Sequence, residues 1–334
     1  MKILVTGGAG YIGSHVVKQL AIESKYNVTV LDNLSTGHQQ TIDSLSKMFQ
    51  DVSRFVFIKA ELSDFKKVSE ILKNGNFDAI LHFAASIVVP ESVENPMKYY
   101  LNNTVNTANL INECINNSIN NFVFSSTASV YGEPTEIPIK ETTPKNPINP
   151  YGSSKLMSET ILQDAKSANE NFNYVILRYF NVAGADIENR IGQSFPNSTH
   201  LIKIAAQTAL AKRDGMSIFG DDYDTPDGTC LRDYIHIDDL ADAHVKSLEY
   251  MFSHKKSNIF NCGYGHGFSV NEVIATMKSV TKIDFDAKFE PRRAGDPSIL
   301  ISDNTKIKNE LNWSPKYDDL EVICKTAFDW ESKI

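Results

Sequence analysis

The chain has 334 residues, 42% of them hydrophobic, and a formal net charge of −8. This length and composition suit a globular protein with one large domain and a smaller lobe, and the negative charge argues against general binding of nucleic acid or anionic membrane. No apolar run approaches the roughly 18 residues of a membrane-spanning helix, and the short apolar start is unlike a signal peptide, so we expect a cytoplasmic protein.

The first thirteen residues predict a buried strand that leads through a glycine turn into a helix. Gly7, Gly10 and Gly13 are spaced three apart between the apolar run 3–5 and an apolar helix start. Glycines at such positions let the backbone approach a pyrophosphate, whose charge then lies on the free N–H groups of the helix. A glycine triplet alone is weak evidence, but its place between strand and helix favours a dinucleotide site.

The second predicted strand, 28–32, indicates which dinucleotide binds. Asp32 ends this strand 19 residues after Gly13, where a carboxylate accepts hydrogen bonds from an adenosine ribose and repels a 2′-phosphate. The following residues 33–37 contain no Arg or Lys that would attract that phosphate. The sequence therefore predicts NAD rather than NADP.

Strands and helices alternate up to about residue 180, which predicts an α/β fold with a doubly wound, mostly parallel Rossmann-type sheet. The predicted strands are 2–6, 28–32, 55–58, 79–83, 121–126 and 174–178. The predicted helices in the same part are 13–24, 64–73, 96–117 and 151–168.

Beyond residue 181 the alternation fades, which predicts a smaller C-terminal substrate-binding lobe. We expect residues 1–180 to form the dinucleotide domain, with a later segment near 232–262 returning to it, and residues 181–334 to form mainly the second lobe. Further helices are predicted near 200–212, 238–252, 269–279 and 317–332. The four scattered cysteines contain no Cys-x-x-Cys pair and predict buried thiols, with no disulfide framework and no metal site.

Tyr151 and Lys155 form a candidate proton-transfer pair. They lie four residues apart at the start of a predicted helix, so both side chains project from one face. A phenol has an unperturbed pKa of about 10. A nearby ammonium and a cationic nicotinamide would favour the phenolate and make Tyr151 a base. The spacing alone does not distinguish this pair from an ordinary exposed Tyr-x-x-x-Lys.

Three hydroxyl residues, 125–127, end a buried strand upstream of Tyr151. Side chains at the carboxyl end of such a strand point into the crevice where ligands of this fold bind. Thr127 could therefore hydrogen-bond the same substrate oxygen from which Tyr151 takes a proton. The specific signal is the ordered set of glycine loop, Asp32, Thr127, Tyr151 and Lys155.

With these residues the chain resembles the extended short-chain dehydrogenase/reductase family, and within it the UDP-sugar 4-epimerases, from Met1 to about Trp330. The segments that carry the resemblance are 5–15, 31–34, 124–132, 150–155, 177–181, 218–236 and 291–296. The resemblance implies an isomerase that interconverts UDP-glucose and UDP-galactose with tightly bound NAD. Tyr151 would take the proton of the sugar 4-hydroxyl while NAD takes the C4 hydride, and the 4-keto sugar would turn and be reduced on its other face. Lys155 would hold the nicotinamide ribose, and Thr127 would contact the sugar oxygen.

The resemblance also implies two sets of binding residues. The set that would line NAD is Gly7, Gly10, Tyr11, Ile12, Gly13, Asp32, Asn33, Glu61, Leu62, Phe83, Ala84, Ala85, Asn102, Lys155 and Phe180. The set that would hold the UDP-sugar is Ser126, Asn181, His200, Ile218, Phe219, Arg232, Arg293, Asp296 and Leu300. Arginine suits the second task because its planar fork binds phosphate oxygens at two points.

Several residues depart from the family pattern. Ile87 stands where many members have a lysine near the nicotinamide, and Glu61 replaces an aspartate beside the adenine. His200 falls where some members have a substrate-contacting asparagine. Leu300 stands at the position beside the sugar C2 substituent, and its medium size leaves open whether N-acetylated or pentose UDP-sugars are accepted.

Three alternatives remain. A nucleotide-sugar 4,6-dehydratase would need an acidic pair after Thr127, where Ala128 and Ser129 stand, and an NADPH-dependent reductase is disfavoured by Asp32. A non-catalytic NAD-binding protein would typically have lost Tyr151 or Lys155.

The family is usually a homodimer that pairs helices near 96–117 and 151–168, so we expect a homodimer as well.

Overall fold

The computed structural model describes residues 1–195, 198–293 and 296–334. The strands are β1 Lys2–Thr6, β2 Asn27–Asp32, β3 Phe55–Lys59, β4 Ala79–His82, β5 Asn121–Ser125, β6 Asn173–Tyr179, β7 Asn181–Ala183, β8 Met216–Phe219, β9 Leu231–Arg232, β10 Tyr234–His236, β11 Asn258–Cys262, β12 Phe268–Ser269, β13 Ala287–Glu290 and β14 Ile299–Leu300. The helices are α1 Tyr11–Ile22, α2 Gln39–Met48, α3 Phe65–Gly75, α4 Val89–Glu94, α5 Pro96–Tyr99, α6 Asn106–Asn116, α7 Pro150–Ala168, α8 Leu201–Ala209, α9 Ile237–His254, α10 Val270–Thr281, α11 Thr305–Leu311 and α12 Leu320–Lys333.

The main sheet has seven strands in the order β11-β6-β5-β4-β1-β2-β3. The pairings from β3 through β6 are all parallel, with Val5 opposite Val30 on one side and Leu81 on the other. The strand order reverses at β1, so the carboxyl ends of β1 and β4 flank the crevice in which this fold binds ligands. This confirms the predicted doubly wound Rossmann-type fold.

The central strands are apolar on both faces because helices cover both sides of a parallel sheet. In β1 and β4 every residue from Ile3 to Thr6 and from Ala79 to His82 is buried. One buried cluster joins Leu4, Ile80 and Phe122 to apolar side chains of α3, α6 and α7. The core therefore fixes the strands whose ends carry the candidate site.

The predicted helix 96–117 is interrupted in the structure. Its first turn is α5, residues Tyr100–Val105 form a π-helical segment, and α6 continues to Asn116. A π-helical turn places one extra residue in the repeat, and such turns are often found at functional sites. Here the segment carries the candidate cofactor residue Asn102.

The chain forms two compact units. Unit 1 contains Met1–Val130, Pro147–Arg178 and Ala241–Phe260. Unit 2 contains Tyr131–Asn146, Tyr179–Leu240 and Asn261–Ile334. The predicted domain division placed residues 131–146 with the dinucleotide domain, whereas they pack with unit 2. Within the described ranges, no helix is long and apolar enough to cross a membrane.

Candidate active site

The glycine loop follows β1 and is shaped by close backbone contacts. Gly7 has a φ of +74°, and its N–H donates to the carbonyl oxygen of Leu31 at 2.8 Å. A Cβ on Gly7 would lie 2.5 Å from the nitrogen of Ala84, and one on Gly13 would lie 2.3 Å from the oxygen of Gly7. A Cβ on Gly10 would approach that oxygen only to 3.2 Å. Gly7 and Gly13 are therefore required by the fold itself, whereas Gly10 has more space.

This difference predicts that alanine at position 13 lowers stability, whereas alanine at position 10 weakens NAD binding. We expect Gly13→Ala to lower the melting temperature by several degrees, because its methyl group overlaps backbone, a clash on the order of 1–3 kcal/mol. We expect Gly10→Ala to keep the melting temperature of the NAD-free protein within about 2 °C and still to weaken NAD binding, because the added methyl group obstructs the pyrophosphate. Thermal unfolding of NAD-free protein and NAD titration separate the effects; equal loss of stability in both variants would contradict this account.

Asp32 ends β2 and holds the turn beside the glycine loop. It is buried, and its carboxylate accepts hydrogen bonds from the backbone N–H groups of Ala9 at 3.0 Å and Leu34 at 2.8 Å. Burial raises the pKa of Asp32, and these two N–H groups oppose that rise. An ionised carboxylate has about four acceptor positions, so two remain for a ribose diol. Beyond it, Asn33 donates to the carboxylate of Glu61 at 2.9 Å, which joins two of the predicted adenine-side residues.

The loop after β4 is joined to the π-helical segment by two asparagines. Asn103 accepts from the N–H of Ser86 at 2.8 Å and donates to its carbonyl oxygen at 3.0 Å, so both ends of its amide bind this loop. Asn103 also donates to Ser154 Oγ at 3.0 Å, and Asn102 donates to Ser86 Oγ at 3.1 Å. The loop 83–86 and the helix α7 are thereby held together through one buried side chain.

Lys155 is buried on α7 beneath the end of β5. Its Nζ donates to the carbonyl oxygen of Ser125 at 2.9 Å and lies 4.9 Å above the ring of Phe124. Burial lowers the pKa of Lys155 to about 7, while the carboxylate of Glu159 raises it. A lysine in this environment changes charge near neutral pH, which is useful beside a group that exchanges a proton.

Tyr151 lies one turn before Lys155 and is 6% exposed. Its ring packs edge-on against Tyr99, with centroids 6.4 Å apart. The helix begins at Pro150, and the side chain of Asn149 caps it by accepting from the N–H of Gly152 at 2.9 Å. This N-cap fixes where the helix starts and so which face carries Tyr151 and Lys155.

Thr127 follows β5 and is almost fully buried. Its Oγ1 accepts from the N–H of Ser129 at 3.1 Å and lies 3.2 Å from Ser129 Oγ. Ser126 differs from the expectation of a substrate contact, because its side chain is fully buried and its Oγ donates to Glu159 at 2.5 Å. The three hydroxyl residues therefore have different surroundings, and Ser126 is tied to the protein interior.

His82 is a second buried titratable group near Lys155, which the sequence analysis did not single out. Hydrogen bonds join its Nδ1 to Thr6 Oγ1 at 2.6 Å and its Nε2 to Thr107 Oγ1 at 2.8 Å. Thr107 donates its own proton to the carbonyl oxygen of Asn103, so it accepts from Nε2–H and Thr6 donates to Nδ1. Burial and, to a lesser extent, the charge of Lys155 lower the pKa of His82 to about 3. A neutral imidazole therefore lies beneath the site.

These features of unit 1 suit NAD. In the loop between β1 and α1, Gly10 has more space around it than Gly7 or Gly13, and the carboxylate of Asp32 keeps acceptor positions for a ribose. The hydroxyl of Ser125 is buried without a partner, beside the lysine that would face the nicotinamide ribose. Donors, acceptors and glycines are thus present where the fold would place pyrophosphate and ribose.

Apart from Ser126, the candidate substrate residues belong to unit 2, and two of them lie on the small sheet β12-β9-β14. Arg232 and Leu300 are direct neighbours on β9 and β14. Arg232 is mostly buried, donates to the carbonyl oxygen of Leu231 at 2.8 Å and pairs with the carboxylate of Asp296. A guanidinium and a medium-sized apolar side chain therefore lie side by side.

Other candidate substrate residues of unit 2 lie on β8, at the start of β7 and after β13. The Arg293 guanidinium lies 3.7 Å from the centroid of the Phe219 ring, which places a cation against an aromatic face. Ile218 is buried on the same strand, β8. Asn181 is exposed at the start of β7, and the preceding Phe180 is buried. Ala294 and Gly295, which belong to the resembling segment 291–296, lie outside the described residues.

His200 occupies a separate buried network. Its Nδ1 is hydrogen-bonded to Gln193 at 2.9 Å, and its backbone N–H donates to Ser198 Oγ at 3.3 Å. Burial lowers the pKa of His200 to about 4, and the charge of Lys203 contributes. The neighbouring Lys203 pairs with buried Glu331 at 2.6 Å. His200 is thus neutral, and its hydrogen bonds are to Gln193 and Ser198.

Asp233 is a further residue that sequence reasoning missed. Its fully buried carboxylate accepts from Ser302 Oγ at 2.7 Å and from the N–H groups of Ser302, Tyr264 and Gly265 at 2.7–3.1 Å. It follows Arg232 directly, and Ser302 lies two residues after Leu300. Asp233 therefore ties together the two chain segments that carry these candidate residues.

Comparison with known proteins shows similarity to UDP-sugar epimerases over the full length of the chain. The chain is 46% identical to a UDP-glucose 4-epimerase of Azospirillum brasilense over 100% of its own length and 92% of that protein. A solved UDP-Glc/GlcNAc 4-epimerase of Campylobacter jejuni is 56% identical, with a TM-score of 0.88 and coverage of 100% and 99%. A UDP-glucose-4-epimerase of Stenotrophomonas maltophila, solved with NAD and formylated UDP-arabinopyranose, is 33% identical, with a TM-score of 0.95 and coverage of 100% and 98%. The model of the NAD dependent epimerase/dehydratase family matches residues 3–263, and the chain belongs to this family.

Proposed function

We propose that the protein is an NAD-dependent UDP-glucose 4-epimerase that interconverts UDP-glucose and UDP-galactose. The observation that carries the proposal is the buried Lys155 beneath the end of β5, one turn from Tyr151 on the same helix face. Relatives that carry this activity in their names match the chain over its full length. The sheet order and the Asp32 carboxylate supply the dinucleotide site that the reaction needs.

When bound, NAD would supply a reversible acceptor for two electrons at C4 of the sugar. Tyr151 takes the proton from the sugar 4-hydroxyl and returns it after the configuration at C4 has changed. The Lys155 ammonium stabilises the phenolate form of Tyr151, and Thr127 offers a hydroxyl to the same sugar oxygen. Because the proton and both electrons return to the sugar, the protein needs no external oxidant or reductant.

The residues of unit 2 suit the nucleotide part of the substrate. Arg232 and Arg293 provide planar cations for a diphosphate, and Phe219 offers an aromatic face for a uracil ring. Asp296 lies beside Arg232, where it orients the guanidinium. Mostly buried arginine is expected at a phosphate site because its charge is then less screened by water.

The direct test is turnover of UDP-galactose by purified protein with no added NAD. We expect conversion to UDP-glucose, and one NAD per chain in the denatured extract. Absence of turnover for every UDP-sugar, even with NAD added, would refute the proposal and favour the non-catalytic alternative.

We propose further that the protein is cytoplasmic. The four cysteines are buried and free, which agrees with a reducing compartment.

Leu300 favours a second activity, on N-acetylated UDP-sugars. Its side chain is only partly buried and is the register neighbour of Arg232, the residue proposed to bind the diphosphate. The family resemblance puts this position beside the sugar C2 substituent. The Campylobacter jejuni relative is described as acting on both Glc and GlcNAc forms. We therefore propose that this protein converts UDP-N-acetylglucosamine as well.

The size of residue 300 should decide between the two sugars. We expect Leu300→Tyr to lower turnover of UDP-N-acetylgalactosamine by about tenfold or more and to change that of UDP-galactose much less, because the larger ring fills the space of the acetyl group. The measurement is the ratio of kcat/KM values for the two sugars. Ile299→Tyr is the control, since successive strand residues point to opposite faces. An unchanged ratio in Leu300→Tyr would contradict this role.

We propose further that the protein is a homodimer. Val93, Met97, Leu101 and Val105 are exposed apolar residues spaced four apart through α4, α5 and the π-helical segment. Met157 on the neighbouring α7 is exposed as well. A contiguous apolar face of this kind marks an interaction site, and an isologous pair with a second copy would cover it.

A charged side chain introduced on this face should separate the proposed dimer into monomers. We expect Met97→Asp to give a particle of 37.3 kDa in light scattering, whereas the unchanged protein gives twice that mass. The reason is that an unpaired carboxylate cannot be buried in an apolar interface. Val52→Asp is the matched control, because Val52 is an exposed apolar residue outside this face. A monomeric unchanged protein would refute the proposed dimer.

A further inference from the structure

Glu159 lies one helical turn after Lys155 on α7 and forms a buried ion pair with Arg178 of β6. Arg178 Nη2 lies 2.6 Å from Glu159 Oε2 and Nε lies 3.0 Å from Oε1, and both side chains are fully buried. Removing two charges from water is costly, so a buried pair is by itself weak evidence of a stabilising role. The other hydrogen bonds of Glu159 indicate its role.

Glu159 also holds the strand end that carries Thr127. Ser126 donates its hydroxyl proton to Glu159 Oε1 at 2.5 Å, and the preceding carbonyl oxygen, that of Ser125, accepts from Lys155 Nζ at 2.9 Å. Lys155 and Glu159 are four residues apart and so share one face of α7. The helix therefore contacts consecutive residues of the strand end at two points, one turn apart.

We propose that Glu159 is a positioning residue for proton transfer, which holds residues 125–127 at a set distance from Tyr151 and favours the cationic form of Lys155. This inference rests on the proposed function. Arg178 completes the arrangement, because its guanidinium pairs with the Glu159 carboxylate and fixes its orientation at two points. A misplacement of about 1 Å at a reacting centre can cost about 100-fold in rate.

The charges around Lys155 support the second part of the proposal. The titratable groups that act on Lys155 are Glu159 on its own helix, His82 of β4 and, through Glu159, Arg178 of β6. Tyr151 lies one turn earlier on the same helix. His82 is neutral, as its pKa is lowered to about 3. Burial lowers the pKa of Lys155 to about 7, and Glu159 is the group that raises it. Loss of the Glu159 charge should therefore make Lys155 deprotonate at lower pH.

The test compares Glu159→Gln, Ser126→Ala and Asp164→Asn in the NAD-loaded enzyme. We expect Glu159→Gln to lower kcat by roughly 10- to 100-fold, to keep KM for UDP-galactose within about threefold and to move the alkaline limb of the kcat profile to lower pH. Ser126→Ala removes only the strand-end hydrogen bond. We therefore expect a smaller loss of kcat and an unmoved alkaline limb. Asp164 is an exposed acid further along α7, and its substitution should change none of these quantities.

Amide hydrogen exchange gives a readout that does not depend on turnover. We expect faster exchange over residues 123–130 in Glu159→Gln and Ser126→Ala than in Asp164→Asn, because the strand end has lost a contact. NAD content per chain is measured on the same samples. Retained NAD together with lowered kcat locates the effect at proton transfer.

Wild-type-like kcat and pH profile in Glu159→Gln would overturn the inference. If that variant does not fold, Ser126→Ala decides: kcat within twofold of the unchanged protein overturns the inference, and a lower kcat at constant KM supports it. Absence of turnover by the unchanged protein in the same assay would instead refute the proposed function. The two failures are thus distinguishable.

Discussion

Tyr151→Phe should lower kcat for UDP-galactose by about 10²- to 10⁴-fold, the usual contribution of a positioned acid–base group. The substitution removes one oxygen and keeps the ring, which packs edge-on against Tyr99 in the structure. Stability and NAD content should therefore change little. The measurement is conversion of UDP-galactose to UDP-glucose, with NAD per chain determined on the same protein.

Tyr250→Phe is the matched control for this experiment. Tyr250 belongs to α9, and its hydroxyl accepts a hydrogen bond from Asn258 at 3.2 Å, away from the β5 strand end. We expect its kcat to equal that of the unchanged protein. A Tyr151→Phe variant that keeps more than a tenth of the activity would show that another group, or water, takes the proton. Loss of NAD from that variant would assign Tyr151 to cofactor binding instead.

The parts of the fold that the sequence predicted well are those with local signals. The strands that end at Thr6, Asp32 and Ser125 are short, apolar and bounded by glycine or polar residues, and the structure places them within one or two residues of the prediction. The Pro150 start of α7 is another local signal, since proline is favoured in the first helical turn. Helix α2 was missed because its polar sequence shows too few apolar residues.

Other features depend on residues far apart in the chain. The pairing of Glu159 with Arg178 follows from the side-by-side placement of β5, β6 and α7, which no spacing in the sequence reveals. Only the four-residue interval from Lys155 could have pointed to Glu159. The π-helical turn at 100–105 has no sequence signal that we recognised, because the apolar positions of α6 continue an ordinary helical pattern. The hydrogen bond between Ser126 and Glu159 likewise becomes visible only in the three-dimensional structure.

The role of Arg232 can be separated from that of Tyr151 by kinetics. We expect Arg232→Met to raise KM for UDP-galactose by about 10- to 100-fold and to leave kcat within about threefold, because the lost hydrogen bonds to a charged group are worth about 1.5–3 kcal/mol in substrate and transition state alike. Calorimetric titration with UDP alone should show the same loss of affinity. Arg232→Lys should give an intermediate value, since it keeps the charge and loses the planar fork.

Arg292→Met is the control for the arginine substitution. Arg292 is exposed, lies over the ring of Tyr223 and donates to Asp222, so it is engaged with the loop 220–230. We expect its KM to stay within about threefold of the unchanged protein, because an exposed ion pair contributes little. A lowered kcat at constant KM in Arg232→Met would contradict the assignment and place Arg232 at the reacting sugar. The expected result instead assigns UDP binding to residues of unit 2 and proton transfer to residues of unit 1.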